Sequence, residues 1–226
     1  MKGKRIFYCE SAYVLGILIL ALGTAFMERA DFGMSMVVAP AYLIHLVVSR
    51  FLPFFSFGMS EYVFQAVLIV LLSLIMGKVK KSYLLSFATA FLYGVVLDMV
   101  MAVVAQLPFA GMVWRAVFYL AGMATCSLGV ALLLHTYLPP EAYEMVVKEF
   151  SQKFGASIGK TKTIYDCCSC VFGIVLSLCF FGSFVGVKWG TILCALLNGW
   201  LIGRITRWLD RSFVWKDALA LRSKIN

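Results

Sequence analysis

The sequence predicts an all-α polytopic membrane protein: about six transmembrane helices in two inverted three-helix repeats, plus two short interfacial or re-entrant helices. Three observations predict it. Of the 226 residues, 62% are hydrophobic and only 14% charged. An ordinary soluble domain is about half apolar and a quarter charged, so a soluble enzyme, a disordered tail and a secreted disulfide scaffold all fit poorly. Six apolar segments approach the ~20 residues a bilayer crossing needs, and basic residues gather in alternate loops.

The elements follow in order along a single transmembrane domain, residues 1–226. The basic N-terminus leads into span 12–27, and no small-residue cleavage site follows promptly, so it reads as a retained span and not a signal peptide. Segment 32–51 is apolar but contains Pro40 and is bounded by Asp31 and Arg50. Spans 62–77, 83–105 and 112–137 come next, with Asp98 inside the third and Arg115 near the start of the fourth. Segment 140–154 opens Pro-Pro-Glu; proline suits a helix start, and Glu141 and Glu144 favour the positive end of the helix dipole. Spans 165–182 and 188–205 and a basic cytoplasmic tail, 211–226, complete the chain. Segments 32–51 and 140–154 are the two short helices; irregular backbone at membrane depth survives only when buried in protein or lining a cavity.

The net charge is +9. With the N-terminus in the cytoplasm, sixteen of the twenty Lys and Arg fall in cytoplasmic segments; Arg29, Arg50, Arg115 and Lys188 do not. The positive-inside rule therefore puts both ends on the cytoplasmic side of the membrane and accounts for the charge without a nucleic-acid partner. The seven cysteines are odd in number and mostly sit in apolar runs; the cluster Cys167, Cys168, Cys170 has no nearby histidine to complete a zinc site. No metalloprotease, nucleophile-elbow, phosphate-loop or dinucleotide motif is present, so neither catalysis nor a cofactor is expected.

The two halves resemble each other. Leu22-Gly23-Thr24-Ala25 returns as Leu128-Gly129-Val130-Ala131, Leu72-Ser73-Leu74 as Leu176-Ser177-Leu178, Ala90 and Gly94 as Ala195 and Gly199, and Glu61 as Asp166. The offset stays between 104 and 106 residues. Units of about 8–108 and 112–210 each hold three spans, and an odd number inserts the second unit upside down, as in many secondary transporters. Gly94, Gly122, Gly173, Gly199 and Gly203 read as sites of close helix approach.

The chain resembles the YczE/YyaS/YitT-like group of bacterial multi-pass membrane proteins over nearly its whole length. The segments that carry the likeness are Gly33-Met34-Ser35, Ser56-Phe57-Gly58, Tyr93-Gly94-Val95-Val96-Leu97-Asp98, Pro139-Pro140-Glu141, Gly159-Lys160-Thr161-Lys162 through Asp166, and Gly190-Thr191. Where that group has a proline soon after the Gly-x-Ser, this chain has Met36, and where it often has an acid before Gly-Thr, this chain has Trp189. The resemblance implies an integral protein of the bacterial cell membrane and no particular activity.

A charged group at the centre of a span costs about 2.5–3.5 kcal/mol on insertion scales, so such groups are functional candidates. Asp98 and Arg115 are expected to pair, or Asp98 to face a polar cavity. Glu61 and Asp166 begin equivalent spans, Lys162 stands one turn before Asp166, and Glu141 lies in the Pro-Pro-Glu segment. These six are the expected substrate-binding residues. His45 and His135 share no motif and read as satisfied or interfacial.

The function expected is a small-molecule or ion permease with a midplane site between the repeats. Two other readings stay open: a non-transporting accessory or regulatory component, and a substrate-binding subunit driven by a separate ATP-powered motor. The expected partners are membrane lipid, the substrate, and either a second copy or a partner subunit.

Overall fold

The computed structural model describes residues 5–107, 111–156 and 158–219. Lys2, Lys4, Arg222 and Lys224 of the charge count, and residue 108 at the expected end of the first unit, lie outside the described residues. Strand β1 is Arg5–Tyr8, and helix α1 is Cys9–Ala30. The short helix α2 (Ala39–Val48) precedes the long α3 (Phe57–Met76) and α4 (Lys81–Val104). The pattern then repeats as long α5 (Met112–Leu134), shorter α6 (Ala142–Phe154), and long α7 (Ile158–Phe181) and α8 (Trp189–Ser212), closed by strand β2 (Phe213–Lys216).

Among the described residues, five helices are long and apolar enough to cross a membrane: α1, α3, α4, α5 and α7. The sixth expected span is a helix of similar length, α8, but Asn198 and the charges Arg204, Arg207, Asp210 and Arg211 dilute it. Helices α3 and α7 start well before the apolar segments expected at 62 and 165. Backbone hydrogen bonding extends a helix through polar residues that hydropathy leaves out. Helix α3 starts at Ser56, whose hydroxyl accepts from the Met59 amide. Segments 32–51 and 140–154 do hold helices, and both are wedged between long ones: α2 packs on α3 and α7, and α6 on α3, α4 and α7.

The centre of the bundle is the crossing of α1 with α5. A hydrophobic effect scarcely drives helices together inside lipid, so close approach rests on small residues. Gly16 and Gly23 on α1 face Gly129 and Gly122 on α5: a Cβ at Gly23 would stand 2.7 Å from the Gly122 carbonyl, and one at Gly16 3.2 Å from that of Gly129. Low-numbered meets high-numbered, so the two helices run antiparallel. Around this axis α1 packs on α4, and α5 on α8.

The strands were not foreseen, because four alternating residues at each end are too short to stand out beside helical runs. They pair in parallel, Arg5 opposite Phe213 and Tyr8 opposite Lys216. Phe7 packs on Phe213 and Trp215, and Trp215 stacks on His135 at 4.3 Å. Glu10 accepts from the amides of Ala218 and Leu219 and from the Tyr137 hydroxyl. The expected tail is therefore fastened to the bundle as far as Leu219, and both described ends lie on one face.

One pair of helices departs from the close packing. Along α3 and α4 a Cβ at Gly58 would run into the Gly94 carbonyl and stand 2.7 Å from the Asp98 carboxyl. Their counterparts in chain order, α7 and α8, scarcely touch among the described residues. Gly199 and Gly203, expected at a close contact, have no atom within 4 Å of where a Cβ would be. They face the space between the two helices or the surroundings of the bundle.

Candidate functional site

That space is a cavity of about 820 Å³ between α7 and α8, with α5 and α6 forming its inner wall. Its volume falls in the range of small-molecule sites, ~300–1,000 Å³. Most of the lining is apolar, including Val130, Leu134, Ile192 and Leu196. Of the four charged groups that line it, three meet, and Lys148 is the fourth. Lys162 on α7 reaches Glu144 on α6 at 3.4 Å and Asp166, one turn along α7, at 3.2 Å. Opposite them Asn198 on α8 accepts from the Ser127 hydroxyl at 2.8 Å. An apolar chamber with a few converged polar groups is suited to a ligand with an apolar body and a polar or charged end.

Glu144 and Lys162 also wall a second, much smaller cavity of about 50 Å³, which runs inward to Glu141, Tyr93 and Thr24. It is large enough for water. Beyond it is a buried polar cluster. The Gln65 amide donates to Glu61 and to Glu141, 3.3 Å each. Its own oxygen accepts from the Ala142 amide at 3.0 Å, which fixes which way the side chain points. The Tyr143 hydroxyl donates to Glu61 at 2.9 Å. Glu61 and Glu141 are 0% and 5% exposed, and each keeps one carboxyl oxygen without a hydrogen-bond partner. Burial, and then the nearby Glu144 and Glu61 carboxyls, push the Glu141 carboxyl well above the usual carboxylate range.

Four of the six sequence-expected residues thus come together: Glu61 and Glu141 in the buried cluster, Lys162 and Asp166 at the cavity. The other two do not, and they do not pair with each other. Asp98 lines neither cavity; it accepts from the Ser56 hydroxyl and from the Gly58 amide at 2.8 Å. Its charge is satisfied by the donors at the start of α3, where a helix favours an anion. Arg115 instead meets Asp31 at 3.0 Å and the Ala30 carbonyl at 2.8 Å, and Lys188 reaches the same Asp31 carboxylate at 2.6 Å. Asp31 sits at the end of α1 in the left-handed region, φ 55°. It joins the beginnings of α5 and α8 to the end of α1.

Sequence reasoning passed over Gln65, Tyr143 and Asn198. Gln65 and Asn198 were visible as amides inside apolar runs, which the cost of burying unpaired polar groups makes informative. Tyr143 carried no such signal. His45 and His135 are satisfied as expected, His45 by the Phe55 carbonyl at 2.9 Å and His135 by Asp210 at 2.9 Å.

A family model matches residues 7–207, from β1 to near the end of α8. The chain belongs to the family of unknown function DUF6198. The match takes in both cavities, the buried cluster and the Asp31 junction. No curated protein and no solved structure matches the chain.

Proposed function

We propose that this membrane protein is a small-molecule permease, binding its substrate in the α7–α8 cavity with Lys162, Glu144 and Asp166 at the polar end. The observation that carries the reading is the 820 Å³ chamber itself, open between two helices whose counterparts are zipped shut. Inverted repeats are a second part of the proposal. Three features support them: antiparallel Gly16–Gly129 and Gly23–Gly122 approaches at the centre, α1 on α4 matched by α5 on α8, and α2 on α7 matched by α6 on α3. Each glycine of the central crossing is offset by 106 from its counterpart. In such folds the two halves exchange conformations and open a site alternately to either side; the chamber here is walled almost wholly by α5–α8 of the second half, and not by the two halves together as the sequence led one to expect.

The charge count supports placing both ends in the cytoplasm of a bacterial cell, with lipid around the bundle. The Gly-Lys-Thr-Lys and Tyr-Gly-Val-Val-Leu-Asp segments support kinship with the YczE/YyaS/YitT-like group. The chain works by binding and conformational change, with no covalent chemistry.

Purified protein is screened by thermal shift against zwitterionic amino acids, organic amines and short carboxylic acids, and any hit is followed by uptake into proteoliposomes. A ligand should raise the melting temperature of the wild type, and Lys162→Ala or Ala195→Trp, which fills the cavity wall, should abolish that rise. A hit whose shift survives both variants would remove the cavity as the binding site.

A further inference from the structure

We propose that Glu61 and Glu141 form a proton-binding site, bridged by Gln65 and reached from the α7–α8 cavity past Glu144 and Lys162. The inference is independent of transport, since it concerns what the buried cluster holds.

Two carboxyl groups from different helices share one amide donor. Gln65 cannot turn to offer its oxygen instead, because Ala142 N–H holds that oxygen at 3.0 Å. Each carboxyl has one oxygen engaged at 2.9–3.3 Å and one oxygen, Oε1, with nothing to donate to it. A buried carboxylate without enough donors is expensive, and two of them close together repel. A proton on Oε1 removes a charge, which ends the repulsion and lowers the cost of burial.

The surroundings supply little compensation. The titratable and charged groups facing the pair are Tyr13 on α1, Tyr93 on α4, Cys126 on α5, Glu144 on α6, and Lys162 and Tyr165 on α7. The cation among them, Lys162, is already held between Glu144 and Asp166. Burial pushes the Tyr143 hydroxyl upward, so it remains a donor to Glu61 and does not become a second anion.

The donor set also separates a proton from a metal cation. A hard cation takes about six oxygen ligands. The nearby carbonyls of Pro139 and Pro140 are engaged, at 2.9 Å with Thr89 and 2.6 Å with Ser86. Of the pair's carboxyl oxygens, the two Oε1 atoms are those without a donor, well short of that number. Binding is a single step: a proton from water in the small cavity adds to a carboxylate oxygen, the local charge falls by one, and no other bond changes. The small cavity gives that proton a route, since it touches Glu141 at one end and the Glu144–Lys162 pair at the other.

The full chain, purified in detergent micelles, is titrated with acid and base while the carboxylic-acid carbonyl stretch is followed by infrared spectroscopy in heavy water. The wild type should keep a protonated-carboxyl band at neutral pH, well above the ~4.3 of an ordinary glutamate. E61Q and E141Q should each remove part of that band. A wild type with no band at neutral pH, or a band unchanged in both variants, overturns the proposal. So does loss of the band when sodium chloride replaces choline chloride at constant pH, which would make the site a cation site. Should neither variant fold, Tyr143→Phe keeps the ring and removes one donor; the band's midpoint should then move by about one pH unit, and an unmoved midpoint overturns the proposal.

Discussion

The α3–α4 contact and the α7–α8 gap are built at matching positions and reach opposite ends. In the first half Gly58 and Gly94 bring two helix backbones together, and Asp98 bonds to the start of α3. An offset of 105 carries these positions to Thr163, Gly199 and Gly203. There a threonine replaces one glycine of the contact, the acid is lost, and a cavity stands between the helices. Glu61 and Asp166 follow the same division: one is sealed beneath α6, the other faces the chamber beside Lys162. One helix arrangement can thus be closed or open according to a few small residues and one charge at its seam.

Single substitutions can break the comparison. The largest effect is expected at Gly58, where a methyl group would collide first with the Gly94 backbone carbonyl, which cannot swing aside, and then with the Asp98 carboxyl. Gly58→Ala should destabilise by about 3 kcal/mol, whereas Gly199→Ala, in open space, should stay within about 0.5 kcal/mol or stabilise through helix propensity. Thermal melts in one detergent compare the two directly, and equal losses would erase the distinction between seam and gap. Next comes the Asp98 latch: Ser56→Ala removes both the cap of α3 and a donor to Asp98, at a cost of about 1–2 kcal/mol. Its double-mutant cycle with Asp98→Asn should show coupling of at least about 0.5 kcal/mol; additive losses would mean the latch does not act as a unit. The smallest effect is expected at Lys80, which joins the start of α4 to Glu149 of α6 at 2.6 Å. With Lys80 about a third exposed, Lys80→Ala should cost about 1 kcal/mol or less and lose most of that difference in high salt.

Hydropathy revealed the helices because it is a local property, and Pro40 and the Pro-Pro-Glu start marked the two short ones for the same reason. Residue partners were harder. Asp98 and Arg115 lie in adjoining spans and carry opposite charges, yet each finds its partner elsewhere, in donors at the start of α3 and in Asp31 at the end of α1. Which charge meets which depends on how the loops place helix ends, and spacing does not encode that. Glycines failed as indicators in a similar way: Gly94 packs, Gly199 does not, and both sit in apolar runs. Glu61 and Asp166 were legible from their equivalent positions in the two halves, Lys162 from standing one turn before Asp166, and Glu141 from the Pro-Pro-Glu segment; Gln65 was passed over, although an amide inside an apolar run carries the cost of burying an unpaired polar group.

The pairing of β1 with β2 has a consequence for how the chain matures. Synthesis runs from the N-terminus, so Arg5–Tyr8 emerges before α1 and its partner, Phe213–Lys216, after α8. Every helix has left the ribosome before that strand pair can form. Strand β1, made before these helices, is therefore fixed in place only after them, and a chain cut short before Phe213 would carry the helices but leave β1 without a partner.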